Sequence, residues 1–337
     1  MTPTPRTVTV VAVSAAAGPH GPHGPLGPLL DRWRRGPGLR LVPWELYGSH
    51  GPGPADLARL AAGSGALLLV GPRNRAPRTV LAGPVVLAPG GRPVPAAWLP
   101  ATSTRDLARF ARTAVAVHTR ADAGGFADDD TPSAAPTRTL AVLGERQPRF
   151  DRLAERVTVI GTEAEAAGGL RTLRCTAYEL SRDDTVDLLG RGPALAVYVG
   201  HGRPVGWVGY AGMRAHHLAD AAARPGHEPV AALLSLTCRT ASRRRTGLSF
   251  AESLPLAGVA AATLGAVVPT HHTANARWAV RIARDAGSAR TVGDLVAAIT
   301  PHDPHASDYR LLGDPTAPLL DAPAFDTVTP RRLEEAS

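Results

Sequence analysis

Lysine is absent from the 337 residues, so all 37 Lys-plus-Arg positions are arginine. An arginine-only chain rich in Ala, Gly and Pro reads as the imprint of a high-GC genome rather than as a functional signal. Aromatic residues are scarce at 4%, which leaves Leu, Val and Ala to fill a core. Cysteine occurs twice, at Cys175 and Cys238. That is too few for a disulfide framework, and a reduced, cytoplasmic protein is expected. No unbroken apolar run reaches the ~18 residues that a membrane-spanning helix needs, so no membrane partner is expected. Within residues 1–40 the apolar run 8–17 is short and dissolves into the Gly-Pro-His repeats of His20 and His23, and no secretory signal is read there.

The net charge of +8 and pI near 10.5 raise the question of nucleic acid. The arginines are dispersed, however, and the densest run, Arg243-Arg244-Arg245, has no aromatic stacking motif beside it. Nucleic acid is therefore not an expected partner. The pairs His216-His217 and His271-His272 lack the i, i+4 spacing and the carboxylate companion of a zinc site. No metal or other cofactor is expected.

The length accommodates one large α/β domain or two smaller ones. In the first half, residues 7–14 form an apolar run and 26–35 an amphipathic segment, followed by a strand at 39–44 and a helix at 54–62. Residues 66–70 and 80–87 read as strands, and 102–116 as a helix. Residues 121–136 are small, acidic and Pro-containing, which makes them a linker, a mobile loop or a processing site. Beyond them, strands are expected at 137–143, 157–160, 170–175, 194–199, 230–237 and 258–268. Helices are expected at 147–156, 182–190, 248–256, 274–286 and 292–299. The alternation predicts a doubly wound, mostly parallel sheet. The expected organisation is a supporting half at 1–120, the 121–136 connector, a catalytic half at 137–325 and a tail at 326–337.

Two strands carry the chemistry. The apolar run 194–199 leads straight into Gly200-His201-Gly202, and 230–237 leads straight into Cys238. Ligands of open parallel sheets bind at the carboxyl ends of strands, so adjacent strands would present an imidazole and a thiol at one edge. A nearby histidine activates a thiol as nucleophile and protonates a leaving amine. The amides of Gly202 and Cys238 are candidate donors to a developing oxyanion. Cys175 has no such company and reads as structural.

At these residues the sequence resembles the gingipain-type cysteine peptidases of the caspase-like superfamily. The resemblance covers residues 149–320. It rests on Tyr198-Val199-Gly200-His201-Gly202 with Trp207 close behind, and on Leu234-Ser235-Leu236-Thr237-Cys238. It continues through Ser249-Phe250-Ala251-Glu252-Ser253-Leu254 ahead of a Gly-Ala-rich strand, and through Leu312-Gly313-Asp314-Pro315. It implies a three-layer α/β sandwich with a mostly parallel central sheet flanked by helices. It also implies a cysteine endopeptidase acting on a protein or peptide, with His201 and Cys238 as its dyad and the loop containing Thr270, His271 and His272 lining the substrate pocket. The family's glycine soon after the cysteine is displaced to Gly247. Its early acidic segment gives way to Gly144-Glu145-Arg146, which leaves an acidic third member or calcium ligand there unsupported. Family members are often secreted, whereas this chain reads more like an intracellular bacterial caspase-like protease.

Several residues admit two readings. Trp207 either shields the dyad at the substrate pocket or packs on the sheet. Arg239 and Arg243–Arg245 are either a solvated loop or selectors of an acidic substrate side chain. Glu252 anchors a buried hydrogen bond or meets substrate, with structure favoured, and Asp314 closes a turn through its carboxylate. The altered segment after Cys238 motivates a second reading of the whole, a catalytically inactive scaffold that binds a partner. A third is another Cys-His hydrolase or acyltransferase.

Overall fold

The computed structural model describes residues 7–17, 24–123, 138–166, 170–243 and 247–326. His20, His23, Arg244, Arg245, the expected connector from residue 124 onward and the tail from 327 lie outside the described residues.

Thirteen strands are found among the described residues. The first five are β1 (Val8–Ala12), β2 (Leu39–Pro43), β3 (Ala66–Pro72), β4 (Val85–Leu87) and β5 (Pro93–Ala101). Next come β6 (Thr139–Gly144), β7 (Arg171–Thr176), β8 (Leu195–Val199), β9 (Gly202–Arg203) and β10 (Gly206–Trp207). The last are β11 (Val230–Leu236), β12 (Ala260–Ala266) and β13 (Tyr309–Gly313). β9 and β10 form a small antiparallel ribbon, and the other eleven build one sheet in the order β2-β1-β3-β5-β13-β12-β11-β8-β6-β7, with β4 paired to β5. All pairings in this sheet are parallel except β12 with β13 and β4 with β5.

Side chains of a strand alternate between faces, so continuous apolar runs bury both. In β8, Leu195, Val197 and Val199 join one core while Ala196 and Tyr198 join the other. Helices close each face. On the first lie α1 (Gly27–Arg35), α3 (Thr104–Ala123), α4 (Pro148–Ala166), α8 (His272–Asp285) and α9 (Val292–Ile299). On the second lie α2 (Pro54–Ala62), α5 (Arg182–Leu189), α6 (Ala215–Ala222) and α7 (Phe250–Leu256). The result is the three-layer sandwich with a mostly parallel sheet that the resemblance implies.

Local expectations are corrected at four places. Residues 157–160 are not a strand but continue α4, which buries Val157 on its apolar face. Segment 80–87 divides: Val80 ends a helical turn and only Val85–Leu87 is a strand. The buried strand β5 was hidden by Pro93, Pro95 and Pro100, since proline removes a ladder donor. Those prolines flank Ala97 and Trp98, the two residues at which β13 pairs with β5, so the central ladder is spared. The connector expected from residue 121 also starts later, because α3 runs on to Ala123.

β13, near the end of the described chain, wedges between β5 and β12 and so joins the two stretches into one sheet. The Gly313-Asp314 corner after it requires glycine: Gly313 has φ +86°, and a Cβ there would collide with the Ala261 carbonyl. Asp314, fully buried, then bonds His118 Nε2 of α3 at 2.8 Å and accepts from the Thr316 amide and hydroxyl, both at 2.7 Å. The Trp33 indole of α1 donates to the same hydroxyl at 2.8 Å. Asp314 thus closes a turn, as expected, and also fastens α1 and α3 to the end of the sheet. Removing one partner of a buried charged network leaves the others unsatisfied. Asp314→Ala is expected to lower the unfolding free energy by about 3 kcal/mol. Urea unfolding measures this, and a loss below about 1 kcal/mol would contradict the role.

Candidate active site

Register explains how distant residues meet. β8 and β11 are parallel neighbours with Val199 opposite Leu236. His201 and Cys238 therefore each leave the sheet two residues past a paired position, at the same edge. β6 lies on the far side of β8 with Gly144 opposite Val199, which delivers Glu145 to that edge as well. β12 flanks β11 on the other side and ends in the loop bearing Thr270. Thr270, Cys238, His201 and Glu145 thus stand in the spatial order of their strands.

The side chains form two contacting groups. The Thr270 amide donates to Cys238 Sγ at 3.4 Å, and Sγ lies 3.6 Å from the Thr270 carbonyl oxygen. Cys238 is partly exposed. Cys175 is buried, and burial pushes its thiol up to about 12, which makes it inert at neutral pH. At the histidine, the buried Glu145 carboxylate accepts the His201 backbone amide and lies 3.5 Å from His201 Nδ1. Gln147 Nε2 donates to the other Glu145 oxygen at 2.9 Å and fixes the carboxylate. Arg149 Nη2 lies 2.6 Å from His201 Nε2. The same nitrogen lies 3.4 Å from Nδ1, so the guanidinium sits over the imidazole ring rather than along the Nε2 lone pair.

Gly202 joins the two groups. A Cβ there would stand 2.5 Å from Thr237 Oγ1 and 2.7 Å from the Cys238 carbonyl, so only glycine lets the His201 loop lie against the Cys238 loop. Phe150, at the start of α4, packs edge-on against His201 with ring centroids 5.1 Å apart, and against His272 at 5.5 Å. Burial, with the Arg149 charge as a second cause, holds the His272 imidazole below its ordinary value.

The expected substrate-pocket residues separate. Thr270 touches the nucleophile, and His272 shares Phe150 with His201. His271 is exposed and lies instead beside His305, ring centroids 6.1 Å apart. Trp207 does not line the pocket: it is fully buried, stacked on Tyr198 at 4.3 Å, with its indole donating to Ser235 Oγ at 2.9 Å. Arg239 is exposed directly after Cys238, with φ +59°, a left-handed conformation that favours glycine. Arg243 is no selector of substrate, because its guanidinium is bonded to both oxygens of the fully buried Glu252 and to the Arg73 carbonyl. Glu252 also accepts from the Trp98 indole at 3.2 Å and from the Ser249 amide and hydroxyl, which gives it a structural role.

Glu145 is the residue that sequence reasoning left unsupported. The signal was present, since Glu145 follows an apolar strand as directly as Cys238 does, but the adjacency of β6 and β8 is not written in the sequence.

Two changes test these environments. Arg149→Ala is expected to move the His272 titration upward, part of the way to its ordinary value because burial remains. An NMR pH titration of the imidazole protons reads this, and an unmoved or lowered midpoint would contradict the charge effect. Arg239→Gly relieves a left-handed side-chain conformation and is expected to stabilise the fold by about 1 kcal/mol, seen as a higher melting temperature. An unchanged or lower value would show that Arg239 makes compensating contacts.

The profile of peptidase family C25 matches residues 126–320. No curated protein matches the chain. Among solved structures, the chain is similar to a protease at a TM-score of 0.67 and 14% identity, over 95% of this chain and 80% of that one. It is similar to the Arg-specific cysteine proteinase gingipain R at a TM-score of 0.67 and 13% identity, covering 95% of this chain and 79% of that one. For the complex of the Porphyromonas gingivalis RgpB pro- and mature domains the values are 0.65 and 13%, over 93% and 79%. At such identity the likeness establishes the fold, which is caspase-like.

Proposed function

The chain belongs to peptidase family C25 and is a cysteine-type peptidase, and on that premise we propose that His201 and Cys238 are its catalytic dyad, with Glu145 as the group that positions His201. The observation that supports this reading is the shared edge of β6, β8 and β11, from which the three residues leave the sheet. Cys238 Sγ attacks the scissile carbonyl carbon, and the thiol proton passes through His201 to the leaving amine. The amides of Gly202 and Cys238 hold the oxyanion. Water then attacks the thioester, and His201 takes its proton as the acid product and the thiol are restored. Glu145 keeps the ring proton on Nδ1 and balances the imidazolium that forms transiently. Arg149, an exposed side chain, moves off Nε2 as substrate enters. The chain is further proposed to act in a reducing cytoplasm, a reading supported by both cysteines being free and by the need to keep Cys238 a thiol. Cell fractionation with an antibody checks that point, and recovery outside the cytoplasmic fraction would refute it.

The dyad is tested with an acyloxymethyl-ketone probe and a peptide library. Wild-type protein is expected to be labelled and to cleave, while Cys238→Ala does neither. Equal labelling of the two would overturn the assignment. Glu145→Gln is expected to lower kcat by about 10²-fold with KM nearly unchanged. A variant of full activity would remove Glu145 from the site.

A further inference from the structure

Helices α4 and α8 pack side by side on the face that carries Phe150 and His272. Between them and the turn at Thr300–His302 lies an open cavity of about 440 Å³, which the proposed mechanism does not use. Ala276, Val280 and Ile299 give it an apolar lining. Arg156 of α4 and Arg277, Arg281 and Arg284 of α8 surround that lining with positive charge. The three α8 arginines follow an i, i+4, i+7 spacing, which puts them on one helix face.

Like charges at this spacing repel, so the arrangement costs stability unless something negative lies against it. Among the described lining residues the carboxylate is Asp303, and it is already committed to Arg277 Nε at 3.1 Å and to the His305 amide at 2.8 Å. Among the described residues, Arg156, Arg281 and Arg284 have no carboxylate at ion-pair distance. The lining holds no Phe, Tyr or Trp on which bases would stack, which disfavours single-stranded nucleic acid.

The groove is continuous with the catalytic edge. His272, the first residue of α8, meets Phe150, which meets His201, and Thr273 lines the cavity. Over 14 residues α8 leads away from that edge for ~21 Å. An extended peptide at ~3.3 Å per residue covers that distance with about six residues.

We propose that this groove is an exosite for an acidic, partly apolar segment of the polypeptide substrate, lying within about six residues of the scissile bond. The inference rests on the peptidase reading above. Acidic side chains pair with Arg156, Arg281 and Arg284, while the apolar lining receives the stems between them.

The test uses two fluorogenic peptides that share one cleaved sequence from the library profile and differ in a flank of aspartates or serines. Wild-type protein is expected to turn over the aspartate peptide with about 10-fold higher kcat/KM, chiefly through KM, and to lose the preference in high salt. The triple variant Arg156→Gln, Arg281→Gln, Arg284→Gln is expected to lose the preference while cleaving the serine peptide as before, which also reports that it has folded. Equal turnover of the two peptides by wild type, or a preference that survives the triple variant, overturns the exosite and leaves the peptidase reading standing. If neither peptide is cleaved, the peptidase reading has failed. Fluorescence anisotropy of the labelled aspartate peptide on Cys238→Ala then decides the groove alone, since binding lost in the triple variant supports it and no binding overturns it. Tighter arginine-dependent binding of a single-stranded oligonucleotide of equal charge would assign the groove to nucleic acid and overturn the proposal.

Discussion

The parallel pairing of β6, β8, β11 and β12 is the constraint on which the rest depends. In a parallel ladder every strand ends on the same side, so four apolar segments, each buried on both faces, discharge their following residues at one edge. A shift of one residue in the β8–β11 register would turn every side chain of the slipped strand to the opposite core. The hydrophobic layers therefore set the site's geometry as well as the fold's stability. Val197 and Leu234, paired across the ladder and both buried in the same core, hold the frame from which His201 and Cys238 emerge.

Around that edge, buried polar contacts hold the loops. Tyr198 and Trp207 stack beneath the His201 turn, where the Tyr198 hydroxyl donates to the His201 carbonyl at 3.2 Å and accepts the Gly209 amide at 3.1 Å. Burial pushes that phenol well above its ordinary value, so it stays a neutral donor. On the cysteine side the loop after Cys238 is tied down by Arg243 on Glu252, a carboxylate that also caps α7. The absent glycine after the nucleophile is answered by Arg239 adopting the left-handed conformation itself. Arg239 and Arg243 are in this respect part of the support of the site.

Strand-end placement made His201, Gly202 and Cys238 legible, because each comes after an apolar run long enough to be a central strand. The same logic covered Glu145, yet the pairing of β6 with β8 arises from packing across some fifty residues of intervening chain. Trp207 shows the opposite failure. Its motif position says that it is near the dyad, but only the stack on Tyr198 and the bond to Ser235 reveal that it faces the core. Strand β5 was hidden because its prolines argue against a ladder that tertiary contacts nonetheless complete at Ala97 and Trp98.

By itself, the sequence determined the α/β alternation, the two strand-borne reactive residues and the order of motifs that mark the family. Those are local properties, written in hydrophobic periodicity and in the residues at each strand's carboxyl end. Tertiary structure alone decided that Glu145 stands at His201, that Arg243 is consumed by Glu252 and that arginines from α4 and α8 line one groove. These depend on which strands and helices become neighbours, a choice made by burying apolar faces across the whole chain.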